Sequence, residues 1–323
     1  MLDQRWKTFL VLCETMNYTR AAERLCLTQP AVTHHIHYLE EHYGCRLFTY
    51  EGKVLRLTEA GMRLREFTRS MAYNEQKMED TMAAATPISL RVGASKTIGE
   101  YVIAPKVEHF LRAHPEANFS LLVENTQILL RALEAGRLDF VLIEGFFERS
   151  RYEAQLYRRE DFFGVCPPGH RLAGRSVGLD ELMGERILLR EPGSGTRTIF
   201  EEALRRQNCT LCSFPNVATI SDFSIIKSLV SDGLGVSFLY APVVARELEQ
   251  GTLARFDLAD TPMSGAFYFV YLKHNLFARH WEEWMHLGRG WSALDKRRGR
   301  YIICNWLLNF EKVMEWRAGC PLD

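Results

Sequence analysis

Apolar residues in the N-terminal part of the chain recur at helical spacing, which predicts a bundle of short helices. Trp6, Phe9, Leu10 and Cys13 fall at i, i+3, i+4 and i+7 and form the apolar face of a first helix. A second helix is predicted to follow Thr19, whose hydroxyl can cap it.

A third helix is predicted to start at Thr28 and to end at Gly44 in a left-handed cap. Its apolar positions repeat at intervals of 4, 3 and 4: Val32, Ile36, Leu39 and Tyr43. Its other face carries groups that can reach base edges or phosphates: Gln29, Thr33, His34 and His37. Two short helices joined by a tight polar turn are typical of a helix-turn-helix.

A hairpin is predicted directly after these helices. Residues 50–53 form its tip and residues 54–57 its second strand. A helix-turn-helix followed by a hairpin is a winged helix-turn-helix, whose partner is double-stranded DNA. The alternative interpretation is a small three-helix domain that binds no nucleic acid.

A long helix from Thr58 to about Ala84 shows two rows of residues at sevenfold spacing. The first row is apolar and the second is mostly polar: Leu64, Met71 and Met78, then Phe67, Asn74 and Thr81. Such a seam predicts a short coiled coil with a second copy of the chain. Pro87 ends the helix and marks a domain boundary.

The pattern changes from Ser89 to short apolar strands that alternate with helices. Strands are predicted at 90–94, 118–123 and 139–143, and helices at 101–113 and 126–135. This alternation predicts a doubly wound, mainly parallel α/β sheet. Ligands in such folds lie at the carboxyl ends of strands, where helix N-termini offer free N–H groups. Hydroxyl-bearing segments follow these strands and are predicted to surround one crevice, although serine and threonine there can also be simple helix caps.

Composition narrows the class of protein. The chain has 323 residues, 47% of them hydrophobic and 25% charged, with a formal net charge of zero. This composition predicts two or three globular domains and requires any DNA-binding surface to be local, so the neutral charge argues mildly against DNA binding. Neither a signal pattern nor a membrane-spanning apolar run is visible, and we expect a cytoplasmic protein with no membrane partner.

Motifs for enzyme chemistry are missing from the sequence. We find no nucleophile elbow, phosphate loop or metal-spaced cluster, so we expect no catalytic residues, no metal and no cofactor. Ser194 has no histidine partner that the sequence identifies. Cys209 and Cys212 form a single Cys-x-x-Cys without a second ligand pair; packed free thiols and a redox or metal role both remain open.

Several ordered motifs together resemble the DNA-binding domain of LysR-type transcriptional regulators. They are Ala21-Ala22-x-x-Leu25, Thr28-Gln29-Pro30-Ala31-Val32-Thr33, Leu47-Phe48 and Leu57-Thr58-x-Ala60-Gly61. The resemblance implies that the third helix enters the major groove, that the hairpin touches the DNA backbone and that the long helix dimerises. The DNA-contacting residues it implies are Thr28, Gln29, Pro30, Ala31, Thr33, His34, His37, Lys53 and Arg56.

The chain departs from this family at three positions of its DNA-binding surface. His34 and His37 stand where the family often has Arg or Lys, and Tyr50 stands where it usually has Arg. Each lost phosphate contact reduces the salt slope of DNA binding by roughly 0.9. Because histidine titrates near pH 6.5, we hypothesise that His34 and His37 make DNA binding pH-sensitive. The alternative is that both are neutral hydrogen-bonding groups.

The C-terminal region resembles the LysR effector domain, which has two lobes like those of periplasmic binding proteins. The resemblance rests on Gly93-Ala94-Ser95-x-Thr97, Leu133-x-x-Gly136-x-Leu138-Asp139 and Val230-x-x-Gly233-Leu234-Gly235-Val236. With it we expect a winged helix-turn-helix at 1–58, a dimerising helix at 59–87 and an effector domain at 88–287. Lobe I would comprise 88–163 and 266–287, and lobe II 164–265. The expected ligand contacts are Ser95, Lys96, Thr97, Thr126, Glu144, Ser194, Thr196, Arg197 and Ser221.

These observations predict a ligand-responsive regulator of promoter DNA that forms a homodimer and, by family resemblance, a homotetramer. Lys96 and Arg197 suggest a small anionic effector, unless Lys96 points outward and Arg197 pairs with Glu191 or Glu201. An α/β enzyme and a metabolite-binding module without DNA-binding activity are the alternatives. Residues 288–323 form an extension for which an added helix, disorder and a second nucleic-acid contact all remain open.

Overall fold

The computed structural model describes residues 3–82, 89–259, 263–278 and 284. The C-terminal extension predicted at 288–323 lies outside these residues. Within the described part of the chain, no helix is both long enough and apolar enough to cross a bilayer. The N-terminal elements are α1 (Gln4–Thr15), α2 (Tyr18–Leu25), α3 (Gln29–Tyr43), β1 (Phe48–Glu51), β2 (Val54–Leu57) and α4 (Glu59–Met82).

Local capping fixes the boundaries of the N-terminal helices. Asn17 caps α2 by accepting from the Arg20 amide, so the predicted cap at Thr19 was wrong by two positions. Thr28 caps α3, and Gly44 ends it with a φ of 64°, as predicted. The α1–α3 helices and the β1–β2 hairpin surround one apolar core: Phe9, Leu12, Cys13, Ala21, Ala22, Val32, Ile36, Leu39, Leu47, Phe48 and Leu55.

The remaining elements form a mixed α/β region. The strands are β3 (Ser89–Ser95), β4 (Asn118–Glu124), β5 (Phe140–Glu144), β6 (Tyr152–Cys166), β7 (Ser176–Val177), β8 (Ile187–Leu189), β9 (Val217–Thr219), β10 (Val236–Tyr240), β11 (Ala254–Leu258) and β12 (Ser264–Leu272). The helices are α5 (Lys96–Tyr101), α6 (Ala104–Ala113), α7 (Thr126–Glu134), α8 (Leu179–Met183), α9 (Gly195–Arg206), α10 (Phe223–Ser231) and α11 (Ala241–Glu249), and 3-10 turns lie at Arg149–Arg151 and Leu211–Ser213.

The strands form two parallel halves joined through β6, which confirms the predicted two-lobed α/β fold. The order is β4-β3-β5-β12-β6-β10-β8-β9, with β11 also paired to β6. The β3, β4 and β5 strands are parallel in lobe I, and β8, β9 and β10 are parallel in lobe II. Asp161 of β6 pairs with Ser264 of β12, and the next residue, Phe162, pairs with Tyr240 of β10. The chain therefore leaves lobe I at this step, near the predicted crossing at 163–164.

The helix predicted at 101–113 begins three residues later than expected, as α6, and a separate short helix, α5, precedes it. The α5 helix ends at Tyr101, and α6 starts at Ala104 with Pro105 in its first turn. In one continuous helix the Pro105 ring would clash with the Tyr101 carbonyl four residues earlier. The α5 helix, which the sequence pattern did not predict, starts at Lys96 directly after β3.

One face of α4 packs against lobe I through polar groups. The Tyr73 hydroxyl donates to the Asp139 carboxylate at 2.6 Å, and Lys77 Nζ donates to the same carboxylate at 3.2 Å. Arg69 pairs with Glu134 at 3.0 Å, and Asn74 Nδ2 donates to the His274 carbonyl at 3.0 Å. The predicted polar row of the seam is therefore partly engaged within the same chain.

The opposite face of α4 stays exposed and apolar. Phe67, Met71 and Met78 have 47%, 39% and 37% of their surface accessible. All three side chains belong to the predicted seam: Met71 and Met78 to its first row, and Phe67 to its second. The helix thus has one face that makes polar contacts with lobe I and another that carries an exposed apolar stripe.

Candidate effector crevice and DNA-binding surface

The α3 helix presents its polar face to solvent, as its pattern predicts. Gln29, His34 and His37 are exposed, and Gln29 Nε2 donates to Thr33 Oγ1 at 3.0 Å. Thr28 and Pro30 are exposed as well, whereas Ala31 and Thr33 are half-buried. No Lys or Arg occurs between Gln29 and Tyr43. The α3 helix therefore offers hydrogen-bonding groups and imidazoles. Permanent cations on this surface must come from neighbouring elements.

The hairpin supplies two of those cations. Lys53 is exposed at the hairpin turn, and Arg56 on β2 forms an ion pair with Glu51 at 2.7 Å. Arg20 on α2 is a further exposed cation that the sequence analysis did not select; its side chain has no ion pair with the described residues. An exposed cation at the start of α2 is a natural phosphate contact in a helix-turn-helix, where the first helix crosses the DNA backbone.

A buried carboxylate lies at the centre of the crevice between the lobes. Glu144 ends β5 and is almost completely buried. Its Oε1 accepts from Thr97 Oγ1 at 3.0 Å, and its Oε2 accepts from Ser95 Oγ. Burial raises the pKa of Glu144 above its usual value, while the two hydroxyl hydrogen bonds and the nearby Arg190 oppose this shift.

The two lobes contact each other next to this carboxylate, at Gly145 of lobe I and Gly195 of lobe II. The Gly195 Cα is so close to Gly145 that a Cβ built on Gly145 would lie 2.7 Å from it, and a Cβ on Gly195 would lie 2.4 Å from the Glu144 carbonyl oxygen. Gly145 also has a φ of 89°, a conformation that favours glycine. Thr97 Oγ1 and Thr196 Oγ1 are 3.4 Å apart. The lobes therefore meet backbone to backbone, directly above Glu144.

Most of the predicted ligand contacts come together here. Ser95, Thr97, Thr126, Glu144, Ser194 and Thr196 are all buried. The Thr126 hydroxyl donates to the Glu144 carbonyl at 3.2 Å and so connects the α7 N-terminus to the end of β5. We refer to these six residues as the crevice cluster.

The three remaining predicted contacts lie at the margin of the cluster. Lys96 Nζ donates to the Ser221 carbonyl at 2.8 Å, so this cation joins the two lobes, although the Ser221 side chain is exposed. Arg197 forms an ion pair with Glu201 at 2.7 Å, which is one of the two pairings that the sequence left open. Because Arg197 already has a carboxylate, Lys96 is the better candidate for an anion contact.

Two residues of this region were missed by the sequence analysis. Arg190 is buried, binds Glu191 at 2.8 Å and lies 4.3 Å from the Phe223 ring. Tyr240 is completely buried, and its hydroxyl has no hydrogen-bond partner among the described residues. The sequence gives no sign that either residue is unusual. Arg190 directly follows a strand and Tyr240 lies at the end of one, as many residues do.

The cysteines carry no disulfide within the described part of the chain. Cys209 is buried and Cys212 is exposed, and both are free thiols. The described residues also contain no group of three or more His, Cys, Asp or Glu side chains placed to hold a metal ion.

Known proteins match the chain in both regions. Residues 4–62 match the family described as bacterial regulatory helix-turn-helix protein, lysR family, and residues 88–287 match the LysR substrate binding domain. The RuBisCO operon transcriptional regulator of Allochromatium vinosum is 30% identical over 270 residues, covering 82% of this chain and 88% of the relative. CysL of Bacillus subtilis (strain 168) is 30% identical over 246 residues, covering 75% and 81%.

The fold agrees with these matches. A variant of full-length OxyR from Pseudomonas aeruginosa superposes with a TM-score of 0.55 at 22% identity, covering 88% of this chain and 94% of that one. The likeness spans both the helix-turn-helix and the two-lobed region. The chain therefore belongs to the LysR family of ligand-responsive bacterial transcriptional regulators.

Proposed function

We propose that the crevice cluster binds a small anionic effector and that the ligand's anion takes the place that the Glu144 carboxylate occupies in this structure. The observation that supports this is the convergence of the Ser95 and Thr97 hydroxyls on one buried carboxylate. Hydroxyls that hold an internal carboxylate have the geometry to hold a ligand carboxylate, or a sulfur or phosphate oxyanion. Lys96 and the N-terminus of α9 add positive potential at the same point.

The charge of Glu144 opposes the binding of an anion in the crevice. A ligand anion beside an ionised Glu144 would experience like-charge repulsion in a buried site. The anion therefore binds with Glu144 protonated, or with its carboxylate turned away from the two hydroxyls. The raised pKa of Glu144 makes the protonated form accessible, and anion affinity should fall as pH rises through the folded-state pKa.

Calorimetry with sulfate, phosphate and acetate tests the crevice proposal. Replacing both Ser95 and Thr97 with Ala should weaken binding by about tenfold or more, since two hydrogen bonds to a charged group are lost. Thr252→Ala removes an exposed hydroxyl outside the crevice and is the matched control. Wild-type protein that binds none of the three anions, or undiminished binding in the double variant, would contradict the proposal while leaving family membership intact.

We further propose that α3 contacts promoter DNA through Thr28, Gln29, Pro30, Ala31, Thr33, His34 and His37, with Lys53 and Arg56 on the backbone. The support is the exposure of the helix's polar face together with the two hairpin cations. A gel shift with DNA from upstream of the protein's own gene is the direct test. Lys53→Gln should lower the salt slope by about 0.9, whereas Arg131→Gln, on α7, should leave it unchanged. An unchanged slope in Lys53→Gln would remove the hairpin from the interface.

The apolar stripe of α4 supports a homodimer through this helix. Phe67, Met71 and Met78 follow the spacing of a coiled-coil seam and are exposed in a single chain. Met71→Lys should shift sedimentation toward the monomer, whereas Gln76→Lys, on the exposed polar side of the helix, should not. A homotetramer, a cytoplasmic location and a role that involves no catalysis are further expectations that follow from the family.

A further inference from the structure

A second cavity lies beside the crevice, along the paired strands β6 and β12, which we call the crossing strands. Its volume is about 290 Å³, close to the lower end of the roughly 300–1,000 Å³ typical of small-molecule sites. Gly145 and Arg149 line the cavity from lobe I, and Arg206 lines it from α9. Arg159 on β6, Tyr268 on β12 and Met263, directly before β12, complete this part of the wall. We call this space the hinge pocket. It contains none of the residues of the crevice cluster.

The charge around the hinge pocket is strongly unbalanced. Arg159 has neither an ion pair nor a hydrogen bond from its side chain to the described residues. Arg149 donates to the Tyr268 hydroxyl, and its guanidinium carbon lies 4.3 Å from the centroid of the Tyr268 ring. Arg206 is 3.9 Å from Glu202, a carboxylate that also pairs with Arg205 outside the pocket. Among the lining residues, the three guanidinium groups therefore face a single carboxylate, that of Glu202, which is also paired with Arg205.

The rest of the lining is apolar. Phe146, Phe147, Ile199, Met263 and Ala266 contribute to the wall, and the Phe147 and Tyr268 rings meet edge to face with centroids 5.6 Å apart. Phe146 keeps 57% of its surface exposed at this position. Guanidinium groups bind carboxylates and phosphates in bidentate geometry, and an aromatic wall favours a ligand with an apolar body.

We propose that the hinge pocket is a second ligand site, which binds a small anion with an apolar body. Its position couples it to the crevice, because Gly145 lines the pocket and touches Gly195, the residue at the start of α9. The α9 helix contributes Thr196 to the crevice at one end and Arg206 to the hinge pocket at the other. A ligand in the hinge pocket joins lobe I, α9 and the crossing strands and so holds one relative position of the lobes.

Calorimetry on the full chain with phenyl phosphate tests the hinge pocket. Inorganic phosphate carries the charge without the ring, and phenol carries the ring without the charge. Phenyl phosphate should bind at least tenfold more tightly than either. Arg159→Gln should weaken its binding by about tenfold or more, which is the usual effect of losing a charged hydrogen bond. Arg131→Gln, which removes an exposed arginine outside the pocket, should bind as wild type does.

Ala266→Leu provides a test that changes no charge. Ala266 lies opposite Arg159 in the strand pairing, and a larger side chain should fill the cavity and abolish phenyl phosphate binding. The thermal midpoint of each variant shows whether it folds. The proposal is overturned by wild type that binds no phenyl phosphate, by equal affinities in Arg159→Gln and Arg131→Gln, or by affinity for inorganic phosphate that matches that of phenyl phosphate. Binding that survives Arg159→Gln and is lost with Ser95→Ala and Thr97→Ala would place the anion in the crevice and overturn it equally.

Discussion

The winged helix-turn-helix and the crevice cluster differ in the side chains that they mainly bury. The N-terminal module encloses a mainly apolar core that includes Phe9 and Ile36; Thr8 and Glu40 are buried with it, whereas His37 on α3 faces solvent. The crevice cluster buries hydroxyls and the Glu144 carboxylate where Gly145 and Gly195 meet. Apolar burial stabilises the first region in one fixed form. A polar contact between two lobes gains less from closure, so under the proposed function a ligand with equivalent hydrogen bonds would compete with it.

The largest expected effect is on the apolar region. Phe9 is completely buried and meets Phe48 edge to face at 5.7 Å, so Phe9→Ala should destabilise the N-terminal module by about 3–5 kcal/mol. Urea unfolding followed by tryptophan fluorescence reports the loss, and a gel shift should show that DNA binding is abolished. Anion binding measured by calorimetry should persist. If anion binding were lost together with DNA binding, the two regions would not be independently stable.

A somewhat smaller loss of stability is expected where α4 packs against lobe I at Asp139. Asp139 has a completely buried side chain that accepts from Tyr73, Lys77 and the Arg91 amide and guanidinium. Asp139→Asn removes the carboxylate that pairs with Lys77 and Arg91 and should cost about 3 kcal/mol, as breaking a buried ion pair does. Limited proteolysis should then cut near α4 more readily. Asp257→Asn changes an exposed aspartate and should leave the cleavage pattern unaltered; protection in Asp139→Asn equal to wild type would show that the α4 contact is not stabilising.

Sequence pattern identified the first region better than the second, for a physical reason. The α3 stripe and the Gly44 cap are local, since each depends on residues within a few turns of the chain. The burial of Glu144 depends on Gly195, about fifty residues later, whose missing side chain lets α9 approach. The Tyr73–Asp139 hydrogen bond likewise joins residues distant in sequence. The crevice residues could be selected as strand ends, but neither their burial nor the closure of the lobes has a local signature.

Glu144→Gln removes the buried charge and keeps the shape of the side chain. The pKa of Glu144 is raised in the folded protein, so the folded state binds a proton more tightly than the unfolded state does. The contribution of Glu144 to stability is therefore fully present at low pH and is lost as pH rises from the usual glutamate pKa toward the raised one. At neutral pH the Gln variant should be more stable by on the order of 1 kcal/mol.

Unfolding curves across pH, compared between wild type and Glu144→Gln, measure this difference. Glu185→Gln serves as a control at a carboxylate in lobe II, outside the crevice. Anion binding should become tighter in the Gln variant and lose its pH dependence, since the like charge is gone. Weaker anion binding in Glu144→Gln would instead mean that the carboxylate assists the ligand, and the anionic effector would have to be abandoned.

The smallest effect concerns the outward polar face of α3. Protonated His34 and His37 would each act as a phosphate contact, so the salt slope of DNA binding should be steeper at pH 6 than at pH 8, by up to about 1.8 in total. Replacing both with Gln should keep the slope at its pH 8 value throughout, with almost no change in stability, because both side chains are exposed. His170→Gln, in lobe II beside Glu185, leaves α3 intact and controls for general effects of pH.

Salt titrations of DNA binding at the two pH values distinguish the alternatives for these histidines. A slope that is the same at pH 6 and pH 8 in wild type would show that His34 and His37 act as neutral hydrogen-bonding groups. The cations for the DNA backbone would then come from Lys53, Arg56 and Arg20 alone. In that case the recognition helix would resemble the crevice in one respect: it would depend on hydrogen bonds whose geometry, rather than net charge, selects the partner.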